Sequence, residues 1–203
     1  SKGIVEIEKS DLKTPGQIEV PGDFSSAAFF IGACLISENS EIKIKNVGIN
    51  KTRKAFLDCL LDMNAIIDLT NIRQLGNEEV ADLVIKSSDL LPAKIMEDIV
   101  PNLIDELPLF FLIASLIEGE SEFNGLSELK HKESDRLSIM INNLLKLDVE
   151  VQLNDDSLKI IGKKDRIFSD EVFDSHGDHR IAMTMLVAGL RSSGGLTLSL
   201  IHI

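Results

Sequence analysis

The segment "LIDELPLFFLIASLIEGESEFNGL", residues 103–126, shows the plan on which the whole chain is built. Asp105 stands before a nearly continuous apolar run, and the residues after Gly119 have the composition of a short strand. A helix that is apolar almost all round has no side for solvent, so it is expected to be buried on most faces instead of covering one side of a sheet. The segment therefore predicts an interior helix followed by a strand.

The same plan occurs three times along the chain. Segments at 21–47 and 176–200 also place an Asp, Asp23 or Asp178, before an apolar helix and a strand. In the first two copies a second helix and two β-like runs follow, and Arg53 and Arg136 occupy matching positions before or within that second helix. We interpret each copy as a β-α-β-α-β-β unit. The predicted units span 15–88, 92–162 and, as a partial unit, 166–203.

The repeat predicts an unusual layering for an α/β chain, with helices packed inside and sheets outside. The third unit is incomplete, because the second helix and the last two strands of the plan have no counterpart after residue 200. The chain is therefore expected to be part of a longer protein, with an apolar edge exposed next to the third unit.

Composition narrows the class of protein. The chain has 203 residues, 44% of them hydrophobic, and a formal net charge of -12, which disfavours non-specific binding to nucleic acid or to an anionic membrane. Cys34 and Cys59 lie in apolar helical patterns without a CxxC spacing and are expected to be buried and reduced. No signal segment and no long apolar run is present in the sequence, so a cytoplasmic location is expected.

The start of one predicted helix is unusually charged. The segment "LKHKESDRLSIMINNLLKL", residues 129–147, places Lys132, Glu133, Asp135 and Arg136 where the helix should begin. Lys132 and Arg136 are one helical turn apart and could hold an anion, with Glu133 between them to move a proton. The alternative is a solvated helix terminus with Lys132–Asp135 and Glu133–Arg136 pairs, each worth a few tenths of a kcal/mol.

The three landmark aspartates have different neighbours. An Asp at a helix start can simply cap free N–H groups, and capping suffices to explain Asp23. Asp178 is followed by His179 and Arg180, two possible anion ligands in the first turn of an otherwise apolar helix. A buried Arg is costly unless it meets a carboxylate or a phosphate, so an anion site is predicted there.

Four segments together carry a family resemblance. In order, "VPGDFSSAAFF", "IDELPLFFLIAS", "LKHKESDRL" and "GDHRIAMTMLVAGL" resemble the 3-phosphoshikimate 1-carboxyvinyltransferase (EPSP synthase) family, over roughly Gly16 to Gly195. The resemblance implies an inside-out α/β barrel and identifies the chain as most of the C-terminal domain, with about two and a half units present. It implies transfer of the enolpyruvyl group of phosphoenolpyruvate to the 5-hydroxyl of shikimate 3-phosphate with release of phosphate, in aromatic amino-acid biosynthesis.

The resemblance also implies a role for each candidate residue. Asp105 would contact the shikimate hydroxyls as proton acceptor, and Lys132 would bind shikimate 3-phosphate. Glu133 would exchange a proton with C3 of phosphoenolpyruvate. The phosphoenolpyruvate carboxylate would be held by Arg136 and Arg180, with His179 lining the same pocket. These side-chain types suit two anionic substrates, whose mutual repulsion needs cations to offset it.

The family pattern implies no metal or organic cofactor, and a monomer when full length, with the two small-molecule substrates and the missing N-terminal domain as partners. Cations and serines of that domain and a final lysine are absent here, so the fragment alone is expected to be inactive. Two alternatives remain open: an enzyme like UDP-N-acetylglucosamine enolpyruvyl transferase, or a non-catalytic structural or binding fragment.

Overall fold

The computed structural model describes residues 6–11, 13–14, 16–169 and 171–199. The described residues form five α-helices and nine strands. The helices are α1 (Phe24–Ile36), α2 (Ala55–Asp62), α3 (Leu107–Ser115), α4 (Arg136–Lys146) and α5 (His179–Ala188). The strands are β1 (Glu41–Gly48), β2 (Ile66–Leu75), β3 (Glu78–Lys86), β4 (Lys94–Ile95), β5 (Gly119–Phe123), β6 (Glu150–Asn154), β7 (Ser157–Gly162), β8 (Val172–Asp174) and β9 (Thr197–Ser199).

The strands form one sheet per predicted unit. The first sheet has the order β1-β3-β2 and is antiparallel, and the second has the order β4-β5-β7-β6 with a parallel β4–β5 pair. The third sheet is the parallel pair β8-β9. The second unit thus shows the full β-α-β-α-β-β order, and the third shows its first β-α-β part. The mixed α/β fold class is confirmed.

The apolar helices pack inside, as their sequences predict. Helices α1, α3 and α5 contact one another, and all nine residues of α3 are buried. Edge-to-face contacts of Phe110 with Phe56 of α2 and with Phe123 of β5 join this interior to the surrounding elements. Gly162 ends β7 directly against α3, where a Cβ atom would lie 2.2 Å from the carbonyl oxygen of Ala114.

The first unit departs from the plan at its first strand. Residues 17–20 form no strand, and Ile18 and Val20 are exposed. Only Gly22 is joined to β1, through a single bridge to Val47. One bridge leaves the segment without a ladder, so its alternating apolar residues gain no burial. The predicted unit limits at residue 15 and at residues 200–203 lie outside the described residues.

A carboxylate fixes the irregular part of the first sheet. Strands β1 and β2 both shift register beside the central strand β3, where Asn46 and Asn71 have positive φ. Asp82 of β3 accepts hydrogen bonds from Asn46 N at 3.1 Å and from Asn71 Nδ2 at 2.9 Å. These bonds, with help from Lys43, lower the pKa of Asp82 to about 2. The carboxylate therefore ties both bulges to the middle strand.

Arg191 joins the third unit to the first unit and to the segment that follows β7. It ends the short 3-10 turn that follows α5, and its guanidinium donates to the carbonyl oxygens of Ile36, Lys164 and Arg166 at 3.1 to 3.3 Å. Ile36 is the last residue of α1, whereas Lys164 and Arg166 follow β7. The Arg191 side chain thus connects the end of the third unit's helix to the end of α1.

Some apolar side chains remain exposed near this junction. Phe30 of α1, Leu186 of α5 and Leu190 of the following turn are more than half exposed, on elements that contact one another. The sequence predicts an exposed apolar edge next to the third unit, and Leu186 and Leu190 belong to that unit. Cys34 and Cys59 are buried free thiols, as predicted, and burial raises the pKa of Cys59 to about 11. None of the described helices is long and apolar enough to cross a membrane.

Candidate active site

The starts of the three interior helices lie close together and differ in what their aspartates do. Asp23 and Asp178 are true N-caps: Asp23 accepts from Ser26 N at 2.8 Å, and Asp178 accepts from Arg180 N at 2.8 Å. The expectation that Asp105 begins its helix is wrong, because α3 begins at Leu107 and Glu106 occupies the N-cap position. The Asp105 carboxylate is consequently available for contacts with side chains.

Arg136 is the centre of the charged helix start. Its side chain is only 1% exposed and donates to three carboxylates: Nε to Asp178 at 2.8 Å, Nη1 to Asp105 at 3.2 Å and Nη2 to Glu133 at 2.5 Å. Guanidinium has five N–H donors in a fixed plane, which suits it to bridging several carboxylates. Arg136 thus links the starts of α3, α4 and α5.

Asp105 in turn faces three arginines. Its Oδ1 accepts from Arg136, and its Oδ2 lies 3.7 Å from Nη2 of Arg180 and 4.0 Å from Nη1 of Arg53. The two longer separations are ion pairs without a hydrogen bond. Asp105, Arg136 and Arg180, predicted from three separate segments of the sequence, therefore come together around one carboxylate.

Arg180 is held much less tightly than Arg136. Its Nη1 lies 3.7 Å from Oε1 of Glu106, and its buried Nε has no hydrogen-bond partner within the described residues. Oε1 of Glu106 is likewise buried without a hydrogen bond. A cation and a carboxylate that are buried but not fully bonded are costly for the folded state, which is typical of sites that await a ligand.

The pKa values of the two buried carboxyl groups, Asp178 and Glu106, are shifted in opposite directions. Burial alone would raise the pKa of Asp178, but the hydrogen bonds and charge of Arg136, with Ser134 and the α5 backbone, lower it overall. For Glu106, burial dominates and raises the pKa, against weaker opposing contributions from the Ser25 hydroxyl and Arg180. Asp178 is therefore held as the anion, whereas the surroundings of Glu106 disfavour its charge.

The other predicted residues lie at the edge of this cluster. Lys132 ends a 3-10 turn in an extended conformation, half-buried, and its ammonium makes no ion pair with any described residue. Of the two pairs in the alternative interpretation, Lys132–Asp135 is not formed among the described residues, where Asp135 caps α4 through Ser138, and Glu133–Arg136 is formed. Glu133 is 58% exposed although it bonds to Arg136, and His179 is an exposed residue at the start of α5.

Several residues of the cluster were not predicted. Arg53 donates to the buried Ser25 hydroxyl at 2.7 Å, Ser134 donates to Asp178 at 2.9 Å, and Glu106 faces Arg180. Arg53 could have been found from the repeat, because it occupies the position of Arg136 one unit earlier. Glu106 gives no periodic signal, since its importance depends on the helix beginning one residue after it.

The cluster contains four carboxylates and three guanidinium groups, so it is not strongly positive by itself. Lys132 is the additional cation that stands beside it without a counter-ion in the described part of the chain. No described group of three or more His, Cys, Asp or Glu side chains is arranged to hold a metal ion. The arrangement can bind an anion against Arg180 and Lys132 and can move a proton through Glu133.

Sequence comparison gives a consistent set of relatives. A family model described as EPSP synthase (3-phosphoshikimate 1-carboxyvinyltransferase) matches residues 2–202. The 3-phosphoshikimate 1-carboxyvinyltransferase of Dichelobacter nodosus (strain VCS1703A) is 43% identical over 201 residues, which cover 96% of this chain and 46% of the relative. The corresponding protein of Geobacillus kaustophilus is 42% identical, covering 89% and 42%. The chain thus spans less than half the length of these relatives.

Structural comparison agrees with the sequences. An EPSP synthase from Acinetobacter baumannii aligns with a TM-score of 0.85 and 40% identity, covering 89% of this chain and 42% of that one. The enolpyruvyl transferase NikO from Streptomyces tendae aligns with a TM-score of 0.66 at 17% identity, covering 86% and 37%. The second similarity is one of fold alone.

Proposed function

Because this chain belongs to the EPSP synthase family, we propose that it supplies half of an active site that transfers the enolpyruvyl group of phosphoenolpyruvate to shikimate 3-phosphate. One observation in the structure carries the proposal most directly. Asp105, Glu133, Arg136 and Arg180 meet at the starts of α3, α4 and α5, although these helices belong to two repeat units. The protein would be a transferase of the shikimate pathway.

The proposed chemistry needs two proton transfers. The 5-hydroxyl oxygen bonds to C2 of phosphoenolpyruvate while C3 gains a proton, and then phosphate leaves C2 and C3 loses a proton, which yields the enolpyruvyl ether. We assign the proton at C3 to Glu133, which is exposed to a ligand and kept in place by Arg136. We assign contact with the shikimate hydroxyls, as proton acceptor, to Asp105, whose carboxylate is not used for capping.

The cations divide the binding of the two anionic substrates. Lys132 would bind shikimate 3-phosphate with its unpaired ammonium, and Arg180 would bind the phosphoenolpyruvate carboxylate beside the exposed His179. We assign Arg136 to the same carboxylate as well; its side chain is 1% exposed here, and three of its N–H groups fix the acids around the site. The remaining cations would come from the part of the relatives that this chain does not match.

Glu133→Gln tests the proposed proton transfer. The amide keeps the shape and the contact with Arg136 but cannot exchange a proton, so kcat should fall by about 100- to 10,000-fold with little loss of shikimate 3-phosphate binding. The assay is phosphate release from a graft in which residues 16–199 replace the matching segment of the Dichelobacter nodosus relative. Glu171→Gln, at an exposed position outside the cluster, is the matched control.

Two results would contradict this proposal. The first is a folded graft that releases no phosphate from the two substrates together, or that accepts UDP-N-acetylglucosamine instead. The second is a Glu133→Gln graft whose kcat stays within about threefold of the unsubstituted graft, far below the effect of a positioned acid–base group.

The 203-residue chain by itself should not turn over the substrates. A ligand held from one side keeps much of its water and lacks the preorganised field that stabilises a transition state. The measurement is the same phosphate-release assay with the purified chain, repeated after addition of the N-terminal half of the relative. Turnover by the chain alone at a rate comparable to the graft would show that the site is divided differently.

A further inference from the structure

Glu106 is a buried carboxyl group whose position helix capping does not explain. It stands at the N-cap of α3 but makes no side-chain bond to the helix backbone. It is 4% exposed, and its Oε1 has no hydrogen-bond partner among the described residues. A carboxylate in such a place is destabilising unless something outside its own helix uses it.

The group that Glu106 faces is the loosely held arginine of the site. The two terminal nitrogens of Arg180 are shared between two carboxylates, with 3.7 Å from Nη1 to Glu106 and 3.7 Å from Nη2 to Asp105. Arg and a carboxylate normally form a closer, doubly bonded pair near 2.8 Å. Neither carboxylate therefore forms a close pair with the guanidinium.

The setting of Glu106 prevents it from closing that gap itself. It lies in the backbone turn that precedes a fully buried helix, and the Ser25 hydroxyl donates to the same carboxyl group while accepting from Arg53. Burial raises the pKa of Glu106, so the folded state disfavours its negative charge. Such a group attracts Arg180 without binding it firmly.

We propose that Glu106 is a positioning residue that keeps Arg180 open to an anionic ligand by preventing a close pair between Arg180 and Asp105. The inference rests on the proposed function for the identity of that ligand, the carboxylate of phosphoenolpyruvate. Without Glu106, Arg180 closes on Asp105. The site then loses both a free cation for the ligand and a free carboxylate for the hydroxyl.

The first test needs no substrate. In the 203-residue chain labelled with 15N-arginine, the Nε–H signal of Arg180 is assigned by its loss in Arg180→Lys. Glu106→Gln should shift this signal and slow its exchange with water, because the guanidinium gains a close partner in Asp105. The shift should disappear in an Asp105→Asn background, and Glu171→Gln should leave the signal unchanged.

The second test uses the graft into the Dichelobacter nodosus relative. Glu106→Gln should raise the KM for phosphoenolpyruvate by about 5- to 30-fold, the effect of one weakened charge contact in a buried cluster. Its KM for shikimate 3-phosphate should change less. Stability at neutral pH should not fall, because the amide removes a buried charge that the folded state disfavours. A merely structural role predicts the reverse pattern, with lost stability and an unchanged KM.

Each outcome decides the inference. An unchanged Arg180 signal in Glu106→Gln, or a shift that persists in the Asp105→Asn background, overturns it. If Glu106→Gln does not fold, Glu106→Asp makes the same test, since the shorter side chain withdraws the carboxylate from Arg180. A graft that lacks activity even without substitution would contradict the proposed function, while the substrate-free experiment would still decide the role of Glu106.

Discussion

Arg53 and Arg136 occupy the same place in successive repeat units, and their surroundings are very different. Each points to the aspartate at the helix start of the following unit, Arg53 to Asp105 at 4.0 Å and Arg136 to Asp178 at 2.8 Å. The Arg53 side chain is half exposed, whereas that of Arg136 is 1% exposed. Both units therefore have the same arginine-to-aspartate contact, but the contact is closer and more buried in the second unit.

The difference comes from the residues around each arginine. Arg136 begins α4 next to Glu133, and Asp178 reaches it from α5 as a buried cap. Arg53 lies before α2, and its only close hydrogen bond to a described side chain is to Ser25. Arg136 thus forms a buried network of ion pairs with three carboxylates, whereas Arg53 remains half exposed.

The largest expected effect on stability comes from removing Arg136 and with it the buried ion-pair network. Arg136→Met should lower the free energy of unfolding by about 3–5 kcal/mol, because it leaves the Asp178 carboxylate buried without its main partner. Urea unfolding followed by far-UV circular dichroism measures the change. Arg136→Lys should recover only part of it, since an ammonium cannot bridge three carboxylates. An unchanged free energy of unfolding in Arg136→Met would show that the ion-pair network does not stabilise the fold.

Removal of the negative partner should have a smaller effect. Asp178→Asn should cost about 1–3 kcal/mol at pH 7, because Arg136 loses one charged acceptor while the amide oxygen can still cap α5. The lowered pKa of Asp178 gives this cost a pH dependence. Stabilisation by the carboxylate is complete above its unfolded pKa of 3.8 and is lost as the pH falls through the lower folded value.

The measurement for Asp178→Asn is therefore the difference in unfolding free energy between the two proteins at several pH values. That difference should be constant from pH 7 to about pH 5 and should shrink below about pH 4. Asp23→Asn is the comparison, because Asp23 caps α1 without an ion pair to an arginine, although the charge of Arg180 contributes to its lowered pKa. A difference for Asp178→Asn that grows on acidification would contradict the role of Arg136 as its partner.

The smallest expected effect on stability comes from Arg53, the half-exposed arginine of the first unit. Arg53→Met should change the free energy of unfolding by less than about 1 kcal/mol, as for other half-exposed ion pairs. The variant is compared directly with Arg136→Met under the same conditions. Equal losses for the two substitutions would mean that the two copies are equivalent and that the difference in burial has no energetic consequence.

Sequence periodicity predicted the interior helices, because the burial of α1 and α3 requires a continuous apolar sequence, and it predicted the order of strands except for the first strand of the first unit. It could not predict that α3 begins at Leu107 and so frees Asp105, because that boundary depends on how the preceding turn packs. Local sequence patterns also could not predict the hydrogen bond between Arg136 and Asp178, because the two residues are 42 positions apart. The family resemblance named Asp105, Glu133, Arg136 and Arg180, but the loose hold on Arg180 became visible only from distances.

The three carbonyl bonds of Arg191 have a consequence for the order in which the chain assembles. The bond to Ile36 closes a loop of 155 positions, whereas the sheets of the first two units form within their own segments. Local structure forms before such distant contacts compensate their loop entropy, so each unit can form a nucleus before this bond forms. A late contact of this kind mainly controls how fast the native state opens. We therefore expect the Arg191 contacts to slow unfolding more than they speed folding.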